Sequence, residues 1–113
     1  MTAQPWSVEF YVDARGEAPA RQFLQSLPRG ESAVAVRVLE LLTAHGTSLT
    51  MPHARPVEDL WELRAGPNRF FYVSRTGRRF IVLHGYRKQS QKAPRREIEI
   101  ARRRLQDFLD TGG

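Results

Sequence analysis

Residues 60–88 read LWELRAGPNRFFYVSRTGRRFIVLHGYRK. Through this stretch hydrophobicity repeats every second residue, the period of a strand. Leu60-Trp61-Glu62-Leu63-Arg64 reads as one strand, Gly66-Pro67-Asn68 as a turn, and Arg69 to Ser74 as a second strand. Thr76-Gly77 makes the next turn, and Phe80 to about Arg87 makes a third strand. Successive strands joined by short turns form an antiparallel meander. The third strand raises a question of its own. Its apolar run, Phe80 to Leu83, passes without a break into His84, Tyr86, Arg87 and Lys88, with no carboxylate among them.

Upstream, Trp6, Val8, Phe10 and Val12 alternate with Ser7, Glu9 and Tyr11, which predicts another strand. Pro19 suits the first turn of a helix, where its missing N–H costs nothing, and Ala20, Phe23, Leu24 and Leu27 follow at helical spacing. Pro28-Arg29-Gly30 breaks that helix. Glu31 to His45 forms a second helix, with Gly46 as its C-cap. Thr47 to Pro56 reads as an irregular link with two prolines. Downstream, Pro94 opens a final helix with Ile98, Ala101, Leu105, Phe108 and Leu109 as its apolar stripe. Arg102-Arg103-Arg104 lies mostly off that stripe and reads as a solvated face. The order β-α-α-β-β-β-α predicts an α+β, two-layer fold, one antiparallel sheet covered by helices. The expectation is one domain over residues 1–113, with 110–113 as a frayed tail.

With 113 residues, 41% apolar and 27% charged, the chain reads as an ordinary globular protein rather than a disordered one. No apolar run approaches the length of a membrane span, and MTAQPWSVEF lacks the charged and apolar regions of a signal peptide, so a cytoplasmic protein is expected. The absence of cysteine excludes disulfides, thiol nucleophiles and thiolate metal sites. The net charge of +6 points to a polyanionic partner. Its distribution is uneven: residues 1–60 carry five Lys/Arg against seven Asp/Glu, and residues 61–113 carry thirteen against five.

The cations converge on the meander. Alternation places Phe80, Val82, His84, Tyr86 and Lys88 on one face of the last strand. A short turn brings Arg64 and Arg69 together, and meander topology puts the end of the third strand on the same side of the sheet. Arg64, Arg69, His84, Tyr86 and Lys88 then form a group with no acid beside it, and Arg87, Lys92 and Arg95 flank it as candidate RNA contacts. Arginine offers phosphate a planar fork, and lysine offers a point charge. Tyrosine stacks on a base, and histidine titrates near neutrality. RNA cleavage needs the 2′-OH deprotonated, the phosphorane stabilised and the leaving 5′-oxygen protonated. Such a set serves all three needs without a metal or cofactor. His45, His53 and His84 show no ligand spacing. The competing readings are structural: a hydrogen-bonded His84, a Tyr86 that caps the core, an Arg64 paired with Glu62 or Glu58, and core roles for Trp61, Phe70, Phe71 and Tyr72.

Five segments together resemble the phage-derived Gp49-like proteins, the HigB-type branch of the RelE/ParE toxin superfamily. They are Leu60-Trp-Glu-Leu-Arg64, Arg69-Phe-Phe-Tyr72, Leu83-His-Gly-Tyr-Arg-Lys88, Lys92-Ala-Pro94 and Glu97-Ile-Glu-Ile-Ala101. The resemblance implies a RelE-like fold whose first strand lies beside the last. It implies a type II toxin that cleaves messenger RNA, usually in the ribosomal A site, and is neutralised by an antitoxin, often a helix-turn-helix protein. Arg64, Arg69, His84 and Lys88 match the family pattern. Gln89 stands where the pattern has a second lysine, and Tyr86 where it has phenylalanine. On this reading Arg64, Arg69 and Lys88 hold the scissile phosphate, His84 or Tyr86 is the general base, and Arg64 or Lys88 protonates the leaving group. Two other functions fit the basic surface: a ParE-like inhibitor of DNA gyrase, and a non-catalytic nucleic-acid-binding protein.

Overall fold

The computed structural model describes residues 5–89 and 94–112. The chain runs β1 (Ser7–Phe10), α1 (Pro19–Ser26), α2 (Arg29–His45), a short 3-10 turn (Gly46–Ser48), β2 (Ala54–Val57), β3 (Leu60–Ala65), β4 (Asn68–Arg75), β5 (Arg79–Arg87) and α3 (Arg95–Asp110). The five strands form one sheet in the order β1-β5-β4-β3-β2. The fold is α+β, the meander β3-β4-β5 is antiparallel, and β1 lies beside β5.

Three details depart from the expected outline. First, the pairing is mixed, because β1 runs parallel to β5, from Ser7↔Arg79 to Phe10↔Val82. Second, part of the supposed irregular link is a strand. Ala54 to Val57 pairs antiparallel with Leu63 to Leu60 through a two-residue turn, Glu58-Asp59, in which Glu58 takes a left-handed φ of 58°. Pro56 is tolerated there because β2 is an edge strand, whose outer side needs no donor. Third, helices cover both faces of the sheet rather than one.

That last feature follows from the strands themselves, which are apolar on both sides. Leu63, Phe70, Tyr72, Phe80 and Val82 pack under α1 and α2 with Ala20, Ala35, Val38 and Leu42. Leu60, Phe71, Ile81 and Leu83 pack on the other face with Ile98 and Ala101 of α3. Neither face can be left to water. Phe70, Phe71 and Tyr72 are thus core residues, and Trp61 packs half-buried against them. Gly85 permits the closest approach of α1 to the sheet, since a β-carbon there would lie 2.6 Å from the Phe23 ring and 2.9 Å from Phe70. Tyr11, just past β1, is buried under α3 and donates its hydroxyl to Asp107 at 2.5 Å. Thr111 hydrogen-bonds back to Asp107 and Phe108.

Candidate nucleic-acid interface

The strands carry the basic group on the face that α3 covers, near the β3–β4 turn. Register sets it in two rows across the sheet. One row runs Arg55, Glu62, Phe71, His84 over β2 to β5, and the next runs Arg64, Arg69, Tyr86 over β3 to β5. The backbone N–H of Lys88 donates to the Pro67 carbonyl at 2.9 Å, which ties the end of β5 to the β3–β4 turn. Arg64, Arg69, Tyr86 and Lys88 are thereby brought together.

The face they occupy is the reverse of the one that simple alternation gives. Phe71 pairs with His84 while Tyr72 pairs with Val82, so Leu83 is an extra residue, a β-bulge. Phe80 and Val82 pack toward α1 and α2, but Leu83 and Tyr86 pack toward α3. The bulge keeps His84 and Tyr86 on a common side and turns both onto the α3 face.

The expectation of a group without an acid is also corrected. Glu62 is fully buried in the row behind Arg64, Arg69 and Tyr86. Its Oε1 accepts from Arg55 Nε at 2.9 Å, and its Oε2 accepts from the Tyr86 hydroxyl at 3.2 Å. Arg69 Nε approaches Glu62 Oε1 only to 3.9 Å, beyond a hydrogen bond. Arg69 instead donates through Nη1 to the carbonyls of Gly66 and Asn68, at 2.6 and 2.9 Å. Its buried Nε–H has no hydrogen-bond partner among the described residues.

Electrostatics follow from this packing. Burial, reinforced by Arg64, lowers the pKa of the Arg69 guanidinium. Burial also lowers the pKa of Lys88; Glu62 opposes this, while Arg69, Arg55 and Arg64 add to it. Tyr86 moves the other way, raised by burial and by the Glu62 carboxylate. Arg69 pulls the other way, but burial and the carboxylate outweigh it.

His84 has both ring nitrogens engaged by α3. Arg104 Nη1 donates to Nδ1 at 3.0 Å, which makes Nδ1 an acceptor, so the proton of the neutral ring sits on Nε2 and points at Glu97 Oε1, 2.6 Å away. Its ring also stacks on Tyr86 with centroids 5.8 Å apart. Burial lowers the pKa of His84 below its ordinary 6.5, against the pull of Glu97. The folded protein therefore resists a proton that the unfolded chain accepts. The stability this contributes is complete above about pH 6.5 and is lost as pH falls toward the folded pKa. Urea denaturation at pH 7.5 and pH 5.5 should show the loss in the wild type and a smaller loss in His84→Asn.

The flanking cations stand elsewhere. Arg87 points to the opposite face, where Nη1 pairs with Glu31 of α2 at 2.6 Å. Arg95 binds Glu58 in the β2–β3 turn, and Arg102 reaches Glu58 and Asp59, each at 3.5 Å. These pairs and the Arg104 contacts fasten α3 to the sheet, so Arg102–Arg104 is only partly a solvated face. Lys92 lies outside the described residues. Arg64 pairs with neither Glu62 nor Glu58; among the described residues no carboxylate lies within ion-pair distance of it. Arg55 and Glu62 are the candidate site residues that sequence reasoning left out of the group. The alternation Ala54-Arg55-Pro56-Val57 ahead of Glu58-Asp59 was the available signal for Arg55, and Pro56 obscured it.

The five-stranded sheet packed by three helices is a RelE-like fold. A chain in the crystal structure of the toxin–antitoxin complex RelBE2 from Mycobacterium tuberculosis is similar in fold, with a TM-score of 0.55 and 19% identity over 74% of this chain and 99% of that chain. The family model of the phage-derived Gp49-like proteins matches residues 22–106, and this chain belongs to that family. No curated protein matches it.

Proposed function

We propose that the chain is the toxin of a type II toxin–antitoxin pair and a metal-independent endoribonuclease that cuts messenger RNA in the ribosomal A site. The observation that carries this reading is the set of four cations, Arg55, Arg64, Arg69 and Lys88, gathered around one buried carboxylate and a phenol. The positive excess invites a phosphate. Family membership and the RelE-like fold support the toxin role and an antitoxin partner.

Arg64 and Arg69 hold the scissile phosphate and neutralise the phosphorane, which is the largest electrostatic demand of the reaction. Lys88 is the general acid for the leaving 5′-oxygen, because its lowered pKa makes it the readier proton donor and arginine scarcely releases a proton. Tyr86 faces the 2′-OH. His84 acts through packing: held by Glu97 and Arg104 on α3, it fixes the Tyr86 ring by stacking. Arg87 and Arg95, paired with Glu31 and Glu58, contribute charge at the margin of the RNA path rather than contacts at the phosphate.

Induced expression should arrest growth, with amino-acid incorporation collapsing within minutes while plasmid supercoiling persists. Loss of supercoiling with incorporation intact would replace this reading with gyrase inhibition.

A further inference from the structure

Among the described residues, Glu62 is the only carboxylate that is buried, at 0% exposed. Burying a charge is costly, and the partners present do not require it. The side chain of Arg55 is 36% exposed and solvates itself in part, and Arg69 stops short of a hydrogen bond. What the burial does provide is a fixed acceptor aimed at Tyr86. Arg55 orients one oxygen, and the other receives the phenolic proton. Tyr86 keeps 7% exposure and pairs in register with Arg69, which in turn pairs with Arg64. The phenol therefore stands in the row that meets the phosphate, and the carboxylate stands behind it, sealed from RNA.

We propose that Glu62 is the terminal proton acceptor of RNA cleavage, reached through the Tyr86 hydroxyl. This rests on the ribonuclease reading given above. As the 2′-oxygen attacks phosphorus, its proton passes to Tyr86 Oη while the phenolic proton passes to Glu62 Oε2. The P–O5′ bond breaks with its electron pair on O5′, which takes a proton from Lys88. The products are a 2′,3′-cyclic phosphate and a 5′-hydroxyl. Glu62 ends protonated and Lys88 neutral, and exchange with water restores both. Tyr86 remains a neutral phenol throughout, so its raised pKa is no obstacle to the relay.

The test is single-turnover cleavage of a ribosome-bound message by wild type, Tyr86→Phe, Glu62→Gln, the double variant and Lys88→Ala. A second message carries sulfur in place of the 5′-bridging oxygen, a leaving group that needs no proton. Tyr86→Phe and Glu62→Gln should each lose roughly 10²–10⁴-fold, the span of general acid–base catalysis. The double variant should be no slower than either single one, because the two groups act as a unit. Sulfur should rescue Lys88→Ala and neither of the others. Near-wild-type rates in Glu62→Gln, multiplicative losses in the double variant, or sulfur rescue of Tyr86→Phe would overturn the relay alone. If Glu62→Gln fails to fold, Tyr86→Phe, which keeps the ring in place, decides by the sulfur comparison. A wild type that leaves both messages intact overturns the ribonuclease reading and the relay with it.

Discussion

Lys88→Ala and Arg64→Ala are each expected to slow message cleavage by about 10²–10³-fold, the usual loss when a general acid or an oxyanion donor is removed. The fold should survive both changes. Neither side chain is buried, and Arg64 is in no ion pair among the described residues. The melting temperature should stay close to wild type, and removing a cation from a crowded positive cluster should relieve repulsion rather than break a contact. The loss should appear in the single-turnover rate more than in the amount of toxin bound, since the charge of the transition state exceeds that of the ground state. Arg75→Ala, at the far end of β4, serves as the comparison and should cut normally.

The largest stability effect should come from Glu62. Truncation to alanine removes the only hydrogen-bond acceptor of the Tyr86 hydroxyl among the described residues and takes away the carboxylate beside the buried Arg69 cation. Breaking a buried polar pair from one side costs about 3 kcal/mol or more. In a domain of this size that corresponds to a fall in melting temperature on the order of 10–20 °C. Arg55→Ala leaves the same buried carboxylate without its charged hydrogen-bond donor and should itself cost about 2 kcal/mol or more. Urea titration of the two variants would show both losses. A near-wild-type Arg55→Ala would mean that the buried carboxylate needs no cation to hold its place.

Much of this was legible in the sequence because alternation over Leu60 to Arg87 leaves no room for a helix. The α+β class, the meander and the juxtaposition of Arg64, Arg69, Tyr86 and Lys88 follow from it. What escaped did so for local reasons. A proline in Ala54-Arg55-Pro56-Val57 hid an edge strand and with it Arg55. One extra residue at Leu83 reversed the face of the strand end, and no composition signal marks a bulge. Glu62 entered the sequence reading only as a possible partner of Arg64, and only a sheet covered on both faces buries it. The partners of His84 were visible in principle. Glu97 and Arg104 lie seven residues apart on α3, two turns along one side of the helix. Nothing short of the three-dimensional docking of α3 shows that both reach the same imidazole.

The most direct test of the basic site is primer extension on a defined message in a purified translation system, with and without ribosomes. Wild type should produce cuts at A-site codons only when ribosomes are present, and Lys88→Ala and Arg64→Ala should leave the message whole. Intact message and continued translation at micromolar wild-type protein would contradict the account.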